Sequence, residues 1–120
     1  MKILLCSATD HNPVNLLPLE SVQINPDIIY VAVSTQKRQQ GDNLIAELKA
    51  IGKKVEVLKI ENEHSLQSLT QQYEQWLLQH QDDEIVVNLT GGTKLMSIAA
   101  YQIFSGYGFR CFYQNLNLIS

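Results

Sequence analysis

Five short apolar runs, set apart by longer mixed segments, constrain this chain more than any other feature. Lys2–Cys6 is continuously apolar after its first residue, and Ile28–Val33 (Ile-Ile-Tyr-Val-Ala-Val) is unbroken and rich in β-branched residues. Val55–Ile60 alternates apolar with charged residues, Glu84–Leu89 is another apolar run, and Phe109–Tyr113 is the fifth. Unbroken runs of this length suit strands buried on both faces, which is the condition of a parallel sheet covered by helices. The intervening segments have helical spacing. Pro13–Val22 is short and holds Pro18, so it predicts a brief or kinked helix. Asp42–Ile51 places Leu44, Ile45, Leu48 and Ile51 on one face and stops at Gly52. Ser65–His80 carries Leu66, Leu69, Tyr73, Trp76 and Leu77 as a stripe, which reads as core. Thr93–Ser105 is apolar over most of its surface and ends at Gly106 and Gly108.

The alternation predicts a doubly wound α/β fold, a mostly parallel sheet of five or six strands flanked by helices and joined by right-handed crossovers. Gln114–Ser120 offers the sixth strand. The Thr93–Ser105 helix has more apolar surface than one sheet covers, so it predicts a second packing partner.

Composition narrows the class. At 120 residues the chain is one domain, and 45% hydrophobic with 18% charged residues excludes a disordered chain. A net charge of −3 argues against a duplex-DNA binder but leaves room for a small anion held by a local cluster of donors. Cys6 and Cys111 lie far apart in apolar runs and read as buried thiols of a reducing, cytoplasmic protein. No apolar run approaches the ~20 residues of a membrane span. Met1–Cys6 is too short for a signal peptide before Ser7–Asn12 interrupts it.

The strongest chemical signal is Asn88-Leu89-Thr90-Gly91-Gly92-Thr93-Lys94, between a strand and a helix. Two glycines permit a tight turn and close backbone approach. The helix start offers unpaired N–H groups and a positive dipole end. Thr90 and Thr93 add hydroxyls. Lys94 is a cation where the dipole disfavours one, which points to an anion that both serve. The Walker A spacing is absent. The alternative is a plain turn capped by Thr93. A second polar loop, Ser7-Ala8-Thr9-Asp10-His11-Asn12, follows the first strand. With strand order 3-2-1-4-5 the first and fourth strands flank the switch point, so these two loops become neighbours where such sheets bind ligands. Its alternative is a solvated loop capped by Asp10 and Asn12. Ser34–Gln40, with Lys37 and Arg38, reads as a solvated helix start more readily than as a pocket rim. Glu61, Glu63 and Asp82–Glu84 read as surface carboxylates. His11, His64 and His80 lack metal-ligand spacing, so neither a metal site nor a cofactor is expected.

The block Asn88–Met96, followed by Ala99-Ala100-Tyr101, resembles the signature of CARF domains, the CRISPR-associated Rossmann-like fold. The likeness is strongest to the N-terminal sensor domain of type III CRISPR effectors that join CARF to a restriction-endonuclease-like nuclease. Asn15-Leu16-Leu17-Pro18, Asn25-Pro26-Asp27 and Phe112-Tyr113 also resemble that family. The resemblance implies a homodimer that binds a cyclic oligoadenylate across its two-fold axis, with no direct duplex-DNA contact by this domain. A ring with an even number of nucleotides shares that symmetry, which favours tetra- or hexa-adenylate. It also implies ligand contacts from Thr90, Gly91, Gly92, Thr93 and Lys94, and from the first loop through Ser7, Thr9, Asp10 and His11. The apolar Thr93–Ser105 helix then has a use for its second face, in the dimer contact.

No second core and no nuclease motif occur in residues 1–120, so the expectation is a single sensor domain without an effector. The alternative from a different class is a metal-independent ring nuclease. It would align a ribose 2′-OH on the adjacent phosphate, with Lys94 stabilising charge and Ser7 or Thr9 orienting the ribose. No general base is evident apart from His11. The third reading is a generic nucleotide-binding domain of the same fold, although the G-x-G-x-x-G fingerprint is missing.

Overall fold

The computed structural model describes residues 1–8 and 25–113. Five strands form one fully parallel sheet: β1 (Lys2–Ser7), β2 (Ile28–Ser34), β3 (Val55–Ile60), β4 (Glu84–Asn88) and β5 (Arg110–Phe112). Their spatial order is β3-β2-β1-β4-β5, as the doubly wound pattern requires. Three helices complete the described residues: α1 (Arg38–Ala50), entered through a 3-10 turn at Thr35–Lys37, then α2 (Leu66–Leu78) and α3 (Lys94–Gly106). The expected Pro13–Val22 helix and Gln114–Ser120 strand lie outside the described residues.

The unbroken apolar runs become the central strands because both of their faces are covered. Leu4, Cys6, Ile29, Val31 and Val86 face α1, where Leu44 and Leu48 meet them. Ile3, Leu5, Ile85 and Val87 face α2 and α3. On that second side Tyr73 and Trp76 stand edge-on to Phe104, each at 5.8 Å between ring centroids, and Trp76 also meets Tyr30 at 5.1 Å. Such pairs add about 0.5–1.5 kcal/mol each beyond their burial. The alternating run Val55–Ile60 becomes an edge strand, with Val57 half exposed and Ile60 fully buried. Asp27 fastens the other end of the sheet: its carboxylate accepts from Lys2 N–H at 2.8 Å and its own N–H donates to the Lys2 carbonyl at 2.8 Å.

Three expectations need correction. Glu63 is buried rather than a surface carboxylate, and its Oε2 has no hydrogen-bond partner among the described residues. The helix expected over Asp42–Ile51 begins already at Arg38, with the polar Arg38-Gln39-Gln40 segment and Gly41 in its first turn despite their lack of an apolar stripe. Cys111 is half-buried, whereas Cys6 is fully enclosed and desolvation pushes its thiol up to about 12.

Gly41 shows why a glycine sits inside a helix. A Cβ there would lie 2.7 Å from both γ-carbons of Val33, so α1 rests its backbone directly on β2. Val33 is β-branched and cannot swing aside cheaply. An alanine in a helix interior normally gains up to ~1 kcal/mol over glycine. Here overpacking of about 1–3 kcal/mol opposes that gain. Gly41→Ala is therefore expected to lower unfolding stability by about 1 kcal/mol, read as a lower urea midpoint. A raised midpoint would show that α1 can lift off β2 freely.

Candidate functional site

The sheet parts at the carboxyl ends of its two middle strands. β1 and β4 pair only as far as Leu5 and Val87. Beyond that point β1 follows β2, through Ser7 opposite Ala32 and an Ala8 N–H bond of 3.0 Å to the Ala32 carbonyl. β4 follows β5 instead, through Asn88 opposite Phe112 and a Leu89 N–H bond of 2.8 Å to the Phe112 carbonyl. The crevice that opens between them is the switch point at which open α/β sheets receive ligands.

The segment after β4 is braced from within. Asn88 is buried, and its Oδ1 accepts from Thr90 N–H at 2.9 Å, a side-chain-closed turn. Ser97 Oγ donates to the Leu89 carbonyl at 2.8 Å from the first turn of α3. Thr93 is the N-cap of α3, its hydroxyl accepting from Met96 N–H at 3.1 Å. Gly92 takes φ +81°, a left-handed conformation that side chains rarely adopt. A Cβ on Gly92 would lie 3.0 Å from Ser7 Cβ and 3.3 Å from Ser7 Oγ. The two loops expected to be neighbours thus touch.

Ser7 is itself nearly enclosed, at 8% exposure. Tyr73 is completely buried, and desolvation raises its phenol well above the ordinary value. Gly91 is buried, Thr90, Gly92 and Thr93 are half-buried, and Lys94 is exposed in the first turn of α3. That first turn contains no acidic residue, so Lys94 and the positive helix end act in the same sense toward an anion. Thr9, Asp10 and His11 lie outside the described residues. No group of three or more His, Cys, Asp or Glu able to hold a metal occurs among the described residues. No described helix is long and apolar enough to cross a membrane.

Sequence reasoning placed Tyr73 in the core, and there it lies. Asn88 and Ser97 carried a weak signal: an Asn two residues before a turn and a Ser one turn into the following helix. The Ser34–Gln40 segment does open a helix, as expected, and Ser34, Thr35 and Arg38 also line a cleft of about 320 Å³ between α1 and β3. Asp42, Lys59 and Glu61 complete its charged rim, and none of the residues of the β1–β4 crevice takes part.

A five-stranded parallel sheet of this order, with a glycine turn and a cation opening a helix at the switch point, defines a Rossmann-like α/β domain. Residues 14–118 match the family described as the Card1 CARF domain, and the chain belongs to that family. No curated protein gives a significant match. Among solved structures the fold is shared with Can2 from Sulfobacillus thermosulfidooxidans in complex with cyclic tetra-adenylate, at TM-score 0.83 and 17% identity over 98% of this chain and 33% of that one. It is shared also with Enterococcus italicus Csm6 bound to cyclic hexa-2′-fluoro-hexa-dAMP, at TM-score 0.77 and 20% identity over 96% of this chain and 33% of that one. A type III CRISPR defence DNA nuclease activated by cyclic oligoadenylate has TM-score 0.69 and 18% identity, over 94% of this chain and 18% of that one. The chain spans about a third or less of each of these proteins.

Gly92→Ala should be the costliest small substitution in the turn. It combines a left-handed φ, worth roughly 1–2 kcal/mol, with contact against Ser7. A drop in melting temperature of several degrees is expected by calorimetry; an unchanged melt would mean that the turn rearranges at no cost.

Proposed function

We propose that this chain senses a cyclic oligoadenylate, with the tetra-adenylate preferred, as the CARF module of a cytoplasmic type III CRISPR antiviral response. The single observation that carries the reading is the Thr90–Lys94 turn, which opens α3 beside Ser7 at the parting of β1 and β4. Backbone N–H groups, two threonine hydroxyls and one ammonium there suit a run of phosphates and riboses. Membership of the family supports the class of ligand, and the cyclic tetra-adenylate held by Can2 supports the ring.

The site is completed by a second copy of the chain. One crevice is a half-site, and a two-fold axis sets two such turns facing each other around a ring of matching symmetry. The outer face of α3 supports this arrangement. Ile98 and Tyr101, one turn apart, are both more than half exposed, and they are the second apolar face that the sequence left without a partner. Residues 1–120 act in this reading as a single sensor domain.

Purified protein is to be titrated calorimetrically with cyclic tri-, tetra- and hexa-adenylate, and the ligand then recovered by chromatography. Tetra-adenylate is expected to bind at one ring per two chains and to be recovered intact. Linear products ending in a 2′,3′-cyclic phosphate would instead make the chain a ring nuclease, with Lys94 stabilising charge and Ser7 orienting the ribose. Lys94→Ala should weaken binding by about 10- to 100-fold, the value of a charge-assisted contact; undiminished affinity would remove Lys94 from the site.

Sedimentation tests the dimer separately. The wild-type chain should run as a dimer at micromolar concentration. Ile98→Asp should run as a folded monomer that no longer binds the ring. A wild-type monomer would defeat the shared-site arrangement.

A further inference from the structure

The cleft between α1 and β3 shares no residue with the β1–β4 crevice. Gly41 accounts for its place. At that glycine α1 rests its backbone on Val33, so the helix sits close over β2 and leaves a wedge over the edge strand β3. Val57 of β3 is accordingly half exposed, and with Val33 and Ile45 it gives the cleft an apolar lining. Four charged side chains share that lining: Arg38 and Asp42, one turn apart on α1, and Lys59 and Glu61, two residues apart along β3 and its end. Among the described residues no ion pair joins any two of them. Glu61 is held at its post by Gln72: its N–H donates to Gln72 Oε1 at 2.9 Å, and its carbonyl accepts from Gln72 Nε2 at 2.6 Å.

Scattered surface charges are ordinary and contribute little. Here two cations and two anions are gathered around one apolar floor, and the set selects its ligand. Asp42 and Glu61 repel a run of phosphates. A neutral apolar ligand would strip water from four charges and offer them no partner. A molecule with one charge of each sign beside an apolar body satisfies both. Volume sets its size: about 320 Å³ lies at the small end of the range for ligand pockets, about 300–1,000 Å³. We propose that this cleft binds a free α-amino acid with an apolar side chain. Its carboxylate meets Arg38 and Lys59, where the guanidinium offers a fork of donors. Its ammonium meets Asp42 and Glu61, and its side chain covers Val57. The site is independent of what the crevice binds.

Amide spectra of the full chain are to be titrated with L-leucine into the millimolar range. Saturable shifts are expected at Val33, Thr35, Lys59 and Glu61, with Thr90–Lys94 unmoved. A titration that does not saturate, or shifts confined to Thr90–Lys94, overturns the proposal. Two fragments of leucine test the pairing of charges. Isocaproate lacks the ammonium and isoamylamine lacks the carboxylate, and each should bind at least about tenfold more weakly, the effect of a charge-assisted contact. Either fragment binding as tightly as leucine overturns the zwitterion. Asp42 and Arg38 are exposed, so Asp42→Asn and Arg38→Gln each remove a charge with the fold retained. Asp42→Asn should weaken leucine about tenfold and leave isocaproate unchanged, whereas Arg38→Gln should weaken both. Undiminished leucine affinity in both variants takes the charges out of the site and overturns it.

Discussion

The parting of β1 from β4 beyond the Leu5–Val87 pair is the constraint from which the rest of the site follows. A strand in a parallel sheet can continue its ladder on only one side once its neighbour turns away. Ala8 bonds toward β2 and Leu89 bonds toward β5, so the two chains diverge while their ends remain level. The cleft is thus a product of topology, set by an order in which the chain first builds outward to β3 and then returns to place β4 beside β1. Side chains only furnish it. Gly92 suits the turn after β4 because its φ is left-handed and a Cβ there would press on Ser7 at 3.0 Å.

Around that parting the polar groups hold one another. Asn88, Thr93 and Ser97 each bind backbone within the turn, which leaves the glycines and the helix end in a fixed arrangement before anything arrives. Plain-cap and ligand-loop readings of Thr93 are compatible: a capped helix start is a more rigid anion cradle than a frayed one. Any ligand that the proposed site takes would then meet a turn whose cost of ordering is met during folding.

Most of the fold could be read from residue order, and the reasons are local. Ile28–Val33 and Glu84–Leu89 are too uniformly apolar to sit at an edge, and the charged alternation of Val55–Ile60 fits an edge strand. The crevice residues Ser7 and Thr90–Lys94 were legible because a topology and two polar loops coincide. What stayed hidden depends on contacts across the sequence. Gly41 conceals a helix turn because its purpose is the absence of a side chain above Val33. Glu63 is charged and reads as surface, yet it is enclosed just ahead of α2.

Trp76 gives the same helix another property. It is the sole tryptophan of the chain and lies on α2 one turn from Tyr73. Its indole is 6% exposed, 4.5 Å from the His80 ring and edge-on to Tyr30 and Phe104. An intrinsic fluorophore is thereby fixed where α2 packs against β2 and α3. Any shift of α2 against the sheet changes the surroundings of that one indole, so the protein carries its own optical gauge of that packing and needs no attached label to report it.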